Sequence, residues 1–536
     1  MSDIVTEFRE ILSVADNLVG SVSPFPRAEK TAHIAQVAAW RKMFESSCRL
    51  AVAGSANQGK STLVNALLEH DWAAVGCTET TGTICVMTNK TALQATKPVR
   101  CVSRDGSGNC WVSVEEANAM QGHSREHLQR AQNICWLEYA LGQLAPPFLA
   151  DFELVDTPGT GAIVGTDGES HDRISLSFVK DVDALLLVTQ DTLGELNKKI
   201  LKAFHSNRRV DAQDSGAGVF IVCSHADLNC GSVEEMQARI QQKSEAVKQE
   251  AVENYRFPAT TRVFCVSARL ENILLQMGAG GMEDLYRKVH ATCTDIDDLT
   301  EELEEEIIGI AGTSSVVDVI LDAVFREKSP QAAADCLHKL AGVQELRKCI
   351  TEEMKAKKLL FRMERMVEEL LRYFLYDYPA GIRRYETILH EEQAAYRKFC
   401  HIVDVEPEFR RGQLGALLQA VQKNFSPIGV EEVERGRLLL VDKLQRLKTN
   451  GLELLRLRVD VYAYFEAHRS MFAAEAEEIE ALCERNGRLF TPNMASVRKR
   501  RVYWLNKSKR MVDRRRSEFC MKVHDIYAKF VLLGGQ

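Results

Sequence analysis

Gly54-Ser55-Ala56-Asn57-Gln58-Gly59-Lys60-Ser61 fits the pattern GxxxxGK[ST]. The apolar run Leu50-Ala51-Val52-Ala53 precedes it and the helical stretch Thr62 to Leu68 follows it. Strand, loop and helix are the context that the pattern requires. The glycines let the backbone wrap around a polyphosphate, so that its N–H groups and the helix N-terminus point at negative oxygens. In this arrangement Lys60 reaches the β and γ phosphates and Ser61 binds Mg²⁺.

Outward from this loop, short apolar runs alternate with amphipathic stretches. Leu50 to Ala53, Thr83 to Met87, Phe152 to Val155, Ala184 to Val188, Val219 to Cys223 and Val263 to Val266 predict strands. Strands alternating with helices indicate βαβ units and a mostly parallel sheet with helices on both faces. Before it, Ile4, Phe8, Ile11, Ala15 and Leu18, then Ile34, Val37, Trp40 and Phe44, stand at helical spacing around Pro24 and Pro26. Beyond residue 294 the strand signals end. An acidic run with eight carboxylates, Asp295 to Glu306, leads into amphipathic patterns such as Leu440, Leu444, Leu447 and Leu452, Leu455, Val459, Tyr462. The expected segments are N-terminal helices at 1–47, an α/β P-loop domain at 48–294 and an all-α helical bundle region at 295–536.

Composition bounds the function. A chain of 536 residues exceeds one ordinary core, and 45% apolar residues supply several. With 75 acidic and 68 basic side chains the net charge is −7, which excludes a protein basic over its whole surface. No CxxC pair occurs among fifteen cysteines, and Met1 to Gly20 lacks the features of a signal peptide. Reduced thiols and a cytoplasmic setting are expected. No run of eighteen uncharged apolar residues exists, so any membrane role is expected to be peripheral.

Three further elements accompany the loop. Leu154-Val155-Asp156-Thr157-Pro158-Gly159 ends an apolar strand in DxxG, where a carboxylate holds Mg²⁺ through water and a glycine amide senses the γ-phosphate. Val263-Phe264-Cys265-Val266-Ser267-Ala268 runs a strand into Ser-Ala, where guanine-binding GTPases place an amide on the base oxygen. Phe220-Ile221-Val222-Cys223 leads into Ser224-His225-Ala226-Asp227, where NKxD is expected.

On these motifs the chain resembles the dynamin superfamily, in particular bacterial dynamin-like large GTPases, over roughly residues 48 to 290. Between Lys60 and Asp156 lie 95 residues, similar to an expanded dynamin G domain, and Pro146 to Asp156 looks like the stretch these proteins carry before DxxG. The resemblance implies a Mg²⁺-dependent GTPase giving GDP and phosphate. Its nucleotide-binding residues would be Gly54, Ser55, Ala56, Asn57, Gln58, Gly59, Lys60, Ser61, Thr62, Asp156, Gly159, Ser224, His225, Asp227, Ser267 and Ala268. Catalysis would rest on Lys60, Ser61, Thr81 and Gly159, and Mg²⁺ on Ser61 and Thr81, with Asp156 through water. Thr80 and Thr83 stand as alternatives to Thr81.

Two departures carry consequences. Ser224 and His225 replace the asparagine and lysine of NKxD, leaving imidazole to stack on the base, while Asp227 remains to accept from guanine N1 and N2. Thr160 follows DTPG where small GTPases carry glutamine, so help must come from elsewhere. The resemblance implies a second G domain, in a homodimer or larger assembly, and a monovalent cation such as K⁺ at Asn57, which could equally only shape the loop. Helical segments in such proteins turn nucleotide state into movement, often on membranes.

Two other signals point to different chemistry. His123-Ser124-Arg125-Glu126-His127 matches HxxEH, but a polar surface helix is the better reading because no third zinc ligand is evident. The basic run Arg498 to Arg516, in a segment with twelve basic and three acidic residues from Thr491 to Gln536, suits anionic lipid or RNA, or a solvated bundle face. An RNA- or ribosome-associated GTP switch using that run is the rival function, and a structural protein that binds nucleotide without turnover is a third. GTP is expected to outcompete ATP for the purified protein, with Asp227→Ala narrowing the gap. Equal wild-type affinities in a competition assay would show that Ser224-His225-Ala226-Asp227 does not read guanine.

Overall fold

The computed structural model describes residues 2–20, 27–73, 83–92, 96–103, 110–120, 134–150, 152–158, 171–206, 218–258, 261–292, 316–384, 430–483 and 494–533, with positions 308, 387, 391, 394 and 398. The chain divides into two compact units, 1–46 with 362–536, and 47–361.

The second unit is built on a nine-stranded sheet. Its strands are β1 Cys48–Ala53, β2 Ile84–Thr88, β3 Val99–Ser103, β4 Cys110–Val112, β5 Ile134–Ala140, β6 Phe152–Asp156, β7 Ala184–Thr189, β8 Val219–Cys223 and β9 Val263–Cys265, in the order β4-β3-β5-β2-β6-β1-β7-β8-β9. From β6 through β9 all neighbours are parallel. Such strands are buried on both faces, and β1, β7 and β8 accordingly read as near-continuous apolar runs. That continuity is why six strands were legible. Parallel alignment also delivers the loops after β1, β6, β8 and β9 to one edge of the sheet, where ligands of open α/β folds bind.

Of the other three strands, β4 is only three residues long, and β3 and β5 escaped the sequence reading for an electrostatic reason. β5 carries Glu138 and β3 carries Arg100 opposite it, in antiparallel register. Glu138 is buried, as is Glu153 on β6. Arg100 lies 2.5 Å from Glu138, Lys90 bridges Glu138 and Glu153 at 3.3 Å each, and Arg49 on β1 meets Glu153 at 3.1 Å. A ladder of alternating charge thus crosses the sheet where alternating apolar residues would have signalled a strand.

The unit extends to Phe361, past the limit at residue 294 that the loss of strand signals suggested. The reason is packing: Val316, Ile320, Val324 and Leu337 share one apolar cluster with Leu270, Leu285 and Val289. The helices Val317–Arg326 and Pro330–Ala341 therefore belong with the sheet. Ser329 caps the latter helix and proline occupies its first turn.

The first unit is helical. Ile4, Phe8, Ile11, Ala15 and Leu18 are all buried, as their spacing predicts, and so are Val37 and Trp40. Ile34 departs from the expectation and is exposed, because the helix Arg27–Glu45 buries only a narrow stripe. Farther along, Trp504, Phe519, Val523 and Tyr527 of the helices Met494–Arg510 and Arg514–Leu533 form a core with Val461, Phe465 and Phe472. Among the described residues no helix is long and apolar enough to cross a membrane. The acidic run at 295–306 and the HxxEH pattern lie outside the described residues.

Glu138→Ala should lower the thermal midpoint, at a cost of about 1–3 kcal/mol, because two cations lose a buried partner and both remain half-solvated. An unchanged melting curve would show that the ladder contributes nothing net.

Candidate functional site: a P-loop nucleotide cradle

β1 ends at Ala53 and the loop 54–59 turns into the helix Lys60–Leu68. A Cβ on Gly54 would stand 2.4 Å from the Val188 carbonyl oxygen, so only glycine lets the loop cross β7 so closely. Gly59 occupies the left-handed region at φ 73 and opens the helix with no side chain capping it. Left uncapped, the helix end offers its N–H groups and the positive end of its dipole to an anion. By contrast, Ser232 caps the helix Val233–Tyr255 by accepting from the Glu235 amide.

Within the loop, the Ser55 amide donates to Gln58 Oε1 at 2.9 Å and Lys60 Nζ donates to the Ser55 carbonyl at 2.7 Å. Lys60 is buried, so its ammonium is held in the mouth of the loop. Asn57 is exposed and left-handed at φ 58, a conformation asparagine tolerates better than most residues.

β6 pairs with β1 so that Asp156 stands beside Val52, and Asp156 also faces Cys85 of β2. Thr157 locks the strand end by donating its amide and its hydroxyl to the Val52 carbonyl, at 3.3 and 2.8 Å. The Asp156 carboxylate is fully buried. Its Oδ2 accepts from Ser61 Oγ at 2.8 Å, whereas Oδ1 has no hydrogen-bond partner among the described residues. Burial pushes its pKa up to about 6, against the opposing pull of Lys60 and the Ser61 hydrogen bond.

A buried carboxylate with an oxygen to spare, next to a serine hydroxyl, is the donor set a hard divalent cation prefers. Mg²⁺ fits these residues: Ser61 would ligate it and Asp156 would hold it through water. Cys85 opposite Asp156 also means that the chain enters β2 at this edge, and Thr83, just before β2, is buried there. Thr80, Thr81, Gly159 and Thr160 lie outside the described residues.

The loops after β8 and β9 form the second half. The Ala226 amide donates to the Val266 carbonyl at 3.3 Å, drawing Ser224 to Asp227 alongside Ser267 and Ala268. All of these except His225 are buried. His225 adopts φ 55, and its Cε1 would lie 3.2 Å from a Cβ on Gly59. The imidazole thus rests on the phosphate loop. Ser224 Oγ donates to the Thr189 carbonyl at 3.1 Å and lies 2.9 Å from His225 Nδ1. Since that hydroxyl proton is spent on Thr189, Nδ1 carries the proton and Nε2 is bare. Burial lowers the His225 pKa, and the ring is neutral near pH 7.

Several supporting residues carried no signal in the sequence. Lys243 donates to the carbonyls of His225 and Gln190, both at 3.3 Å, and pairs with Asp191 at 2.8 Å. It is one of two lysines on the helix Val233–Tyr255. The Ser267 amide donates to the Ala341 carbonyl at 3.0 Å, and Arg347 donates to the Ala66 carbonyl at 2.8 Å. These contacts tie the base-side loop and the end of the P-loop helix to residues far along the chain, which pattern reading cannot pair.

The geometry is that of a P-loop domain in which a buried aspartate faces the loop serine and the loops after β8 and β9 close beside it. The sequence model of the dynamin family matches residues 50–211. Over those residues the nucleotide-binding domain is similar to the dynamin family. Among solved structures, an oligomerised bacterial dynamin pair, described as a mechanism for long-range sensing and tethering of membranes, is 15% identical with a TM-score of 0.30. The match covers 84% of this chain and 75% of that one. Toc33 of Arabidopsis thaliana in complex with Mg²⁺ and GMPPNP is 13% identical with a TM-score of 0.23, over 55% of this chain and 95% of that one. No curated protein sequence matches the chain.

Lys60→Ala should abolish hydrolysis, because the cradle then lacks the cation where charge develops. Undiminished turnover would overturn the assignment of this loop. His225→Ala should raise KM with little change in kcat, whereas His225→Lys should keep KM near wild type. Identical steady-state constants for His225→Ala and wild type would show that the imidazole supports neither loop.

Proposed function

We propose that the chain hydrolyses GTP to GDP and phosphate, that a facing G domain stimulates turnover, and that the helical unit converts nucleotide state into movement at an anionic membrane surface. The reading is carried by the convergence of Lys60, Ser61 and the buried Asp156 at an uncapped helix end. Phosphoryl transfer demands positioning and electrostatic stabilisation from the protein rather than covalent chemistry. The loop amides and Lys60 would hold the β and γ oxygens in line, and Asp227 with the Ser267–Ala268 backbone would select guanine. Mg²⁺, when bound, would neutralise charge developing on the phosphate oxygens. Thr81 and Gly159 complete the proposed site from the switch segments. We place the protein in the cytoplasm, peripheral to its membrane.

Thr160 has no amide side chain with which to orient water, so an isolated domain should turn over slowly. K⁺ at Asn57 and a second G domain are the proposed complements, in a homodimer or higher assembly. The membrane part is supported by a basic helical hairpin. Arg500, Lys507 and Arg514 are paired with Glu478, Glu475 and Glu518, but Arg498, Lys499, Lys509, Arg510, Arg515 and Arg516 are exposed. Val512 at the turn between the helices is wholly exposed. An apolar tip ringed by cations suits an anionic lipid interface better than an RNA backbone, which offers nothing for Val512 to enter.

Specific GTPase activity should rise several-fold with protein concentration and be higher in KCl than in choline chloride at equal ionic strength, with Asn57→Ala erasing the cation difference. Flat activity in both series would leave a self-sufficient enzyme. Anionic but not zwitterionic liposomes should carry the protein on flotation, and Val512→Asp should prevent it. Retention on RNA in place of liposomes would favour the rival reading.

A further inference from the structure

Cys223 and Cys265 end two neighbouring parallel strands and are register partners, Cys223 on β8 facing Cys265 on β9. Residues so paired point to the same face, and adjacent strands run about 4.8 Å apart, within the Cα separation that a disulfide spans. Both side chains enter the same apolar cluster. The two thiols are neighbours across the strand pair, and Cys223 Sγ donates to the Gln190 carbonyl at 2.9 Å. One residue beyond Cys223 begins Ser224-His225-Ala226-Asp227, and two beyond Cys265 comes Ser267-Ala268. The pair therefore sits at the root of both base-side loops.

We propose that Cys223 and Cys265 form a peroxide-oxidisable dithiol whose disulfide ties the two base-side loops together and weakens nucleotide binding. Cys223 is the nucleophile of the pair. The neighbouring Cys265 lowers its pKa against the penalty of burial, and the nearby Lys243 ammonium adds to the effect. The pKa of Cys265 is raised by its neighbour Cys223 and by burial. This asymmetry, one thiol with a lowered pKa beside a partner with a raised one at the next strand, separates the pair from an inert buried cysteine.

The chemistry balances with hydrogen peroxide as oxidant. Cys223 sulfur attacks one peroxide oxygen, forming the S–O bond and breaking the O–O bond. The departing hydroxide takes the Cys223 proton and leaves as water. Cys265 sulfur then attacks the Cys223 sulfenic sulfur, forming the S–S bond and breaking S–O, and the second hydroxide leaves as water with the Cys265 proton. Two thiols lose two electrons and one peroxide becomes two waters. Peroxide is small enough to reach β9, a three-residue strand at the edge of the sheet. The new bond replaces the Cys223 hydrogen bond to Gln190, whose carbonyl also holds Lys243 and, through it, the His225 carbonyl. A shift there moves Asp227 relative to the base.

The affinity consequence rests on the guanine-nucleotide reading above; the disulfide itself does not. The full chain is treated with hydrogen peroxide, quenched, and examined by peptide mass spectrometry and by binding of fluorescent GDP. The exposed Cys110 serves as the internal marker of oxidant dose. We expect a Cys223–Cys265 cross-linked peptide at doses that oxidise Cys110. GDP affinity should fall about tenfold, the size of one charge-assisted hydrogen bond lost, and dithiothreitol should restore it. Cys223→Ser and Cys265→Ser should each keep GDP affinity through the treatment. Absence of the cross-link while Cys110 is oxidised overturns the proposal, as does a cross-link that leaves affinity unchanged or an affinity loss that persists in Cys223→Ser. A cross-link in a protein that binds no guanine nucleotide even when reduced would uphold the dithiol and refute its effect on binding, together with the nucleotide reading.

Discussion

A carboxylate with no solvent is the constraint around which this domain is arranged. Asp156 is fully buried, and one of its oxygens is engaged by Ser61 while the other has no partner among the described residues. An isolated charge in that position is expensive enough that its pKa climbs to about 6. The fold tolerates the cost because Lys60 lies near and because the parallel register of β1 and β6 fixes Asp156 beside Val52, with Thr157 clasping the Val52 carbonyl twice. Loop, strand end and helix start are thereby held as one rigid cradle, and a divalent cation bound there would relieve the burial penalty.

The base side is organised differently. Its consensus residues are altered, and the structure compensates with neutral hydrogen bonding and contact in place of a lysine. His225 spans the space between the base-side loop and Gly59, held in one tautomer by Ser224 and Thr189. Lys243 supplies a cation from below the loop, bound to carbonyls instead of lying along the base. The same lysine links this loop to Cys223, so an electrostatic tether and a thiol pair meet at one strand end.

The phosphate half was legible because its constraints are local. Glycines at fixed offsets, a lysine, a serine and an apolar strand all fall within a dozen residues, and the Asp156 strand announces itself by four buried neighbours. β4 is too short to show a pattern, and β3 and β5 were not legible because Glu138 and Arg100 satisfy each other across the sheet and erase the alternating pattern that marks a half-buried strand. The extent of the sheet-bearing unit was hidden for a related reason: Val316, Ile320 and Leu337 read as an ordinary amphipathic helix face, and nothing in the sequence says that Leu270 and Leu285 are what they cover. Likewise Lys243, Ala341 and Arg347 act on the site through contacts between residues distant in sequence, which periodicity cannot reveal.

The central claim is that Asp156 and Ser61 form a metal site completed by a nucleotide. Titration of Mn²⁺, as a paramagnetic stand-in for Mg²⁺, followed by electron paramagnetic resonance tests it most directly. One tightly held ion per chain should appear when GDP is present and be lost without it, and both Ser61→Ala and Asp156→Asn should loosen it while leaving the protein folded. Ion binding that is indifferent to nucleotide, or unchanged in both variants, would contradict the account.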